Sequence, residues 1–139
     1  MFIYQDLASL LLRLSLGAGF LSAVASRLGL WGKHSSGWTN FVNYTGQVNS
    51  FMPASMIPTL AVVATALEML LGILLLTGFK TGYAALAAAI LSLLFAIAMS
   101  ISAGVKDPLD YSVFAFSAGA FLLSTLPAHK WSIDQLIAQ

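Results

Sequence analysis

Two side chains stand out for the chemistry they could do and the company they keep. Arg13 and Glu68 each interrupt an apolar run, Leu7–Leu30 and Ile57–Phe79. A charged side chain at the centre of a membrane helix costs roughly 2.5–3.5 kcal/mol on insertion scales. It persists there when it is paired, neutralised or facing a water-filled cavity. Suppose the two runs are neighbouring antiparallel helices. Arg13, seven residues in from Asp6, then lies roughly 10 Å deep, and Glu68, nine residues from Thr77, roughly 13 Å deep from the same side. The matched depths predict an intramembrane Arg13–Glu68 pair, the candidate cofactor-binding residues of the chain. Ser15, Thr65, Ser92 and Ser100 could extend the site with hydroxyls. Two roles stay open for such a pair: it fixes helix register and nothing more, or it lines a pocket that binds a headgroup or relays a proton.

Other residues offer less. His34 sits in the long loop after the first run and His129 beyond the last, so they lie on opposite faces and cannot share a haem or a metal. Each reads as a solvated or interfacial histidine. The chain has no cysteine, which removes disulfides, thiol exchange, iron–sulfur clusters and Cys-based zinc sites. There is no Gly-rich phosphate loop, nucleophile elbow or metal motif. No catalytic residue and no metal site is assigned, and the chain reads as having no catalytic activity on its own. A net charge of +1 carries no nucleic-acid signal.

The elements that must position Arg13 and Glu68 follow from composition. Of the 139 residues, 59% are hydrophobic and only 8% charged, and the mean hydropathy is +0.89. A soluble domain carries about 25% charged residues, so the solvent of this chain is largely lipid. Four apolar runs are long enough to cross a bilayer core of about 30 Å: residues 7–30, 57–79, 82–103 and 109–126. They lack the short alternation of barrel strands. The chain is therefore expected to be all-α, a single polytopic membrane domain with a four-transmembrane-helix bundle. Ala23-Val24-Ala25 resembles a signal-peptide cleavage site, but there is no basic n-region and Arg13 interrupts the apolar stretch, so the segment reads as a retained span.

The joins add detail. Thr77-Gly78-Phe79-Lys80-Thr81-Gly82 is short and glycine-bearing, which implies an antiparallel hairpin. Asp107 and Pro108 are placed to cap and open the fourth helix. In the one long connection, Trp38, Phe41, Val42, Thr45, Val48, Phe51 and Met52 recur at helical spacing, with Asn40, Asn43, Gln47 and Asn49 opposite. This predicts an interfacial amphipathic helix over 38–52, between the first and second spans. Ala84/Ala88, Ala85/Ala89, Ala115/Gly119 and Gly17-Ala18-Gly19 are spaced for close helix contact.

Three stretches carry a family resemblance: R-L-S-L-G-A-G-F from Arg13, E-M-L-L-G-I-L-L-L-T-G-F-K-T from Glu68, and W-S-I-D-Q-L from Trp131. The chain resembles the DoxX family of small four-span bacterial and archaeal membrane proteins, and the related DoxD-like subunits. Ala25-Ser26-Arg27-Leu28 departs from the end that many members give the first helix. The resemblance implies membrane redox association, through quinone or a multi-subunit partner, and adds weight to Arg13 and Glu68 as a paired site.

The functional expectation is an accessory or stabilising subunit of a membrane redox complex, respiratory, photosynthetic or quinone-linked. The alternatives are a quinone-linked oxidoreductase subunit working at Arg13 and Glu68, or a small proton-coupled transporter or lipid-binding module. No cofactor is intrinsic, with quinone or lipid the candidate ligands. The expected partners are the bilayer and other membrane subunits, not nucleic acid. The expected location is a prokaryotic inner (cytoplasmic) membrane with both termini cytoplasmic, although the basic residues on the two faces are nearly balanced.

Overall fold

The computed structural model describes residues 2–138. It is all-helical, with no strand among the described residues. The helices are α1 Phe2–Arg27, α2 Trp38–Val48, α3 Ile57–Thr77, α4 Thr81–Ala103, α5 Lys106–Asp110, α6 Val113–Ser124 and α7 Ile133–Ala138. Among the described residues three helices, α1, α3 (with the 3-10 turn Ala54–Met56 before it) and α4, are long and apolar enough to cross a membrane. The chain is an integral membrane protein built as a helical bundle.

The four apolar helices pack as a ring in which α1 neighbours α3, α3 neighbours α4, α4 neighbours α6 and α6 returns to α1. The α1–α3 contact is close because it is made through glycine. A Cβ on Gly17 would stand 2.9 Å from a Leu76 side-chain carbon, and one on Gly72 would stand 2.8 Å from Leu21. Membrane helices gain little from burying apolar surface, so backbone approach through small residues supplies packing. On α4 the four alanines 84, 85, 88 and 89 are all buried, and α6 lies against α4 along its most extensive contact. Ser117 of α6 donates to the Ala89 carbonyl at 2.7 Å across this contact. The expected pair Ala115/Gly119 is not the seam of α6: Ala115 is exposed, and Ser117 and Ala120 are the buried small residues.

Turn chemistry sets the hairpin between α3 and α4. Gly78 is left-handed (φ +71°) and its amide bonds to the Leu74 carbonyl, the usual glycine end of a helix. A side chain there would collide with Ser132 and Arg13. The fourth apolar run does not form one helix over 109–126. It is divided into α5 and α6 by Ser112, left-handed at φ +60°. α6 alone, at 12 residues, is about 18 Å long, short of a bilayer core.

α2 caps the ring over α3 and α4. It is shorter than the expected 38–52, and Phe51 lies beyond it, exposed. Its inner face is carried by Phe41, Thr45 and Val48, while Asn40, Asn43 and Gln47 are exposed. Its far end is tied to α4 by the Ser50 amide and hydroxyl, both 3.1 Å from the Ser102 hydroxyl.

Candidate functional site

Arg13 and Glu68 do not meet. Glu68 pairs with Arg27, whose Nη1 also bonds to Thr65 Oγ1 at 3.0 Å. Arg13 instead donates from Nη1 to the Leu75 and Leu76 carbonyls at 3.0 and 3.2 Å, and from Nη2 to the Trp131 carbonyl at 2.8 Å. The expected pair fails for a directional reason. Side chains on a helix lean toward its N-terminus. On α1 that carries Arg13 out of the membrane, toward the C-terminal end of α3, and carries Arg27 into it. On antiparallel α3 the same rule tilts Glu68 toward the Arg27 end. The facing of Arg13 with Leu75 and of Gly17 with Gly72 sets the register. Glu68 is seven residues from Leu75, about 10 Å along the axis, beyond the reach of Arg13.

Both arginines are nonetheless built into the interior. Arg13 is 1% exposed, Glu68 4% and Arg27 9%. Arg27 is covered on one side by Phe41, whose ring centroid lies 3.7 Å from the guanidinium carbon. Of the hydroxyls that could have extended the site, only Thr65 does so. Ser15 is exposed, Ser100 donates to the Ala96 carbonyl of its own helix, and Ser92 is buried without lining the cavity.

Beside the Arg27–Glu68 pair is a cavity of about 390 Å³, roofed by α2 and walled by α3 and α4. Arg27, Glu68, Thr45 and Asn49 supply polar groups, and most of the remaining lining is apolar.

At the opposite end the chain closes on itself. Asp134 accepts from the Lys80 and Thr81 amides at 2.6 and 2.7 Å, capping the N-terminus of α4 from 53 residues away. Its own amide donates to Gly78, and Lys130 reaches Asp6 at 3.2 Å. Ser132 accepts from the Gln135 amide and so caps α7. Burial works to raise the Asp134 carboxyl, but the Thr81 and Lys80 amides and nearby His129 outweigh it and hold it below its ordinary value. Burial lowers His129; Arg13 adds to that, and Asp134 opposes it. His34 lies at the other end, beyond α1, exposed. Among the described residues no group of three or more His, Cys, Asp or Glu is placed to hold a metal.

The sequence reading missed Arg27 as the partner of Glu68, Phe41 as its cover and Asp134 as a helix cap. The lean of helical side chains pointed to the first. Ser132-Ile133-Asp134-Gln135, a serine followed three residues later by glutamine, was the available signal for α7.

Comparison with known proteins corrects the family expectation. No curated protein and no solved structure matches the chain. The family model described as "Methylamine utilisation protein MauE" matches residues 5–110, and the DoxX family is not the one found. The stretches that suggested DoxX answer to general packing needs: glycine where α1 crosses α3, glycine at a helix end, an arginine satisfied by carbonyls. Trp131–Leu136 lies outside the matched residues altogether. A match covering most of an all-helical bundle with three long apolar helices shows that this chain belongs to the MauE family.

Proposed function

We propose that the protein is an accessory or stabilising subunit of a membrane redox system, without catalytic activity of its own. The observation that carries this reading is how the buried charges are used. Arg13 is spent on three backbone carbonyls and Glu68 on Arg27. Both contacts join α1 to α3, and among the described residues the Arg27–Glu68 pair has no third charged partner. Redox chemistry in such an assembly comes from a cofactor held by a partner. The family description supports this, since methylamine utilisation is linked to a redox system. The exposed leucine, isoleucine and valine faces of α1, α3 and α4 are the surface on which a membrane partner would dock.

The same reading places the chain in a prokaryotic inner membrane with four crossings and both ends on the cytoplasmic side. Asp6 and Lys130 are ion-paired, so the chain between them crosses an even number of times. The fourth crossing falls to α6, about 18 Å long, together with the short α5 before it. Because Arg27 is buried against Glu68, the exposed basic residues are Lys33 and Lys106 on one face and Lys80 and Lys130 on the other, with Lys106 paired to Asp110 and Lys130 to Asp6.

The test is extraction of the native membrane in mild detergent, a native gel and mass spectrometry of the band. Migration within a larger assembly that contains a redox protein is the expected result. Migration alone, or only with copies of itself, overturns the proposal.

A further inference from the structure

The cavity beside the Arg27–Glu68 pair faces the bilayer. Val63 on α3 and Leu94 on α4 line it and are about half exposed on the outward faces of their helices. A molecule entering between them comes from lipid. At roughly 30 Å³ for each water-sized group, about 390 Å³ holds about a dozen. That is a compact head and the first carbons of a tail, and much less than a phospholipid.

The inner wall is polar but electrically closed. Glu68 neutralises Arg27, and Phe41 covers the guanidinium. Neither charged group is saturated, however. Among the described residues Arg27 donates only through Nη1, and Glu68 accepts only through Oε2. A guanidinium has five N–H donors and a carboxylate two oxygens. Donors on Nη2 and Nε, and the acceptor Oε1, are therefore left to whatever fills the cavity.

We infer that this cavity is a binding site for an uncharged amphiphile, whose head accepts a hydrogen bond from Arg27 and donates one to Glu68 and whose apolar tail leaves between α3 and α4. An anionic head would set a second negative charge beside Glu68, and a cationic head a second positive charge beside Arg27. Either leaves a net buried charge, which is costly away from water. A neutral head with both hydrogen-bonding functions satisfies the free donors and acceptor and keeps the site neutral. The site does not depend on the subunit role, which the native gel tests separately.

The experiment uses the full chain in phosphatidylcholine nanodiscs and three photoreactive probes of equal tail length: 1-O-decylglycerol, decanoate and decyltrimethylammonium, each with a diazirine in the tail. Labelled peptides are mapped by mass spectrometry. The expected result is saturable labelling of cavity-lining α3 and α4 peptides by decylglycerol, preferred by about tenfold or more over both charged probes. Glu68→Gln removes the compensating charge and should transfer the preference to decanoate. Ala98→Phe, which fills the cavity from α4 and leaves both charges in place, should abolish labelling by all three. Preference of the unaltered protein for a charged probe overturns the inference, as does the absence of saturable labelling by any probe. If Glu68→Gln does not fold, the probe ranking and Ala98→Phe decide.

Discussion

Arg27, in the last turn of α1, turns back into the bundle to pair with Glu68, 41 residues away on α3, and Thr65 one turn further along α3 shares the same guanidinium nitrogen. The two helices are therefore joined twice through a single side chain, close to where the Gly17–Gly72 crossing has already brought their backbones together.

Breaking that pair from either side should be costly, and removing both sides much less so. Arg27→Met or Glu68→Met alone leaves an uncompensated charge in the interior, which is expected to destabilise by about 3–5 kcal/mol. The double variant should lie closer to the parent than either single one. Unfolding in mixed micelles, analysed as a double-mutant cycle, measures the difference.

Arg13 holds the chain's later segment against the bundle through the Trp131 carbonyl. Arg13→Lys keeps the charge but cannot span three carbonyls as a planar fork does. Hydrogen bonds to charged groups contribute about 1.5–3 kcal/mol each, so the loss of one or two should free this segment without unfolding the bundle. Trypsin cleavage after Lys130 should accelerate, while cleavage after Lys33 should not change.

Two groups near that closure give it a pH dependence with a readable sign. His129 is held below its ordinary value, so the folded form resists its protonation. Its contribution is full above the unfolded pKa of about 6.5 and is lost as pH falls from there to the lowered folded value. Asp134 is also lowered. Its contribution is full above about 3.9 and is lost as pH falls below that. The protection factor of the Asp134 amide, which is bonded to Gly78, should fall in two steps as pH is lowered. His129→Gln should remove the upper step and Asp134→Asn the lower.

Glycines with different surroundings should respond in opposite directions to the same methyl group. Gly72→Ala would press against Leu21 at 2.8 Å and should cost about 1–3 kcal/mol. Gly46→Ala meets its nearest atom at 3.7 Å within α2, and should stabilise by about 0.5–1 kcal/mol through helix propensity. Thermal unfolding in detergent separates the two.

Orientation can be read directly because the chain carries no cysteine. Lys33→Cys should react with a membrane-impermeant maleimide in intact cells, and Ala128→Cys only after permeabilisation. The reverse pattern would place both ends outside.

The long helices were legible because a run of 20 or more apolar residues has few other solutions, and the Gly78 turn because left-handed backbone favours glycine. The break at Ser112 was not legible, since neither glycine nor proline marks it. The charged contacts were legible only in part. Depth along a helix can be counted from the sequence, which is why Glu68 was expected near an arginine of α1. Which arginine depends on the lean of each side chain and on the register at Gly17 and Gly72, and counting alone chose the wrong one. Asp134 capping α4 was out of reach for another reason: its partners are amides, and amides look alike at every position of a sequence.

The bond from Arg13 to the Trp131 carbonyl also sets an order of events. The two residues are 118 positions apart, so at about 5–20 residues per second a ribosome takes on the order of ten seconds to make the second after the first. Through that interval Arg13 is already in the membrane without its last acceptor, and α4, once formed, waits for Asp134 to cap it. The contacts that Arg13 and α4 make with Trp131 and Asp134 are thus among the last of the fold to become available.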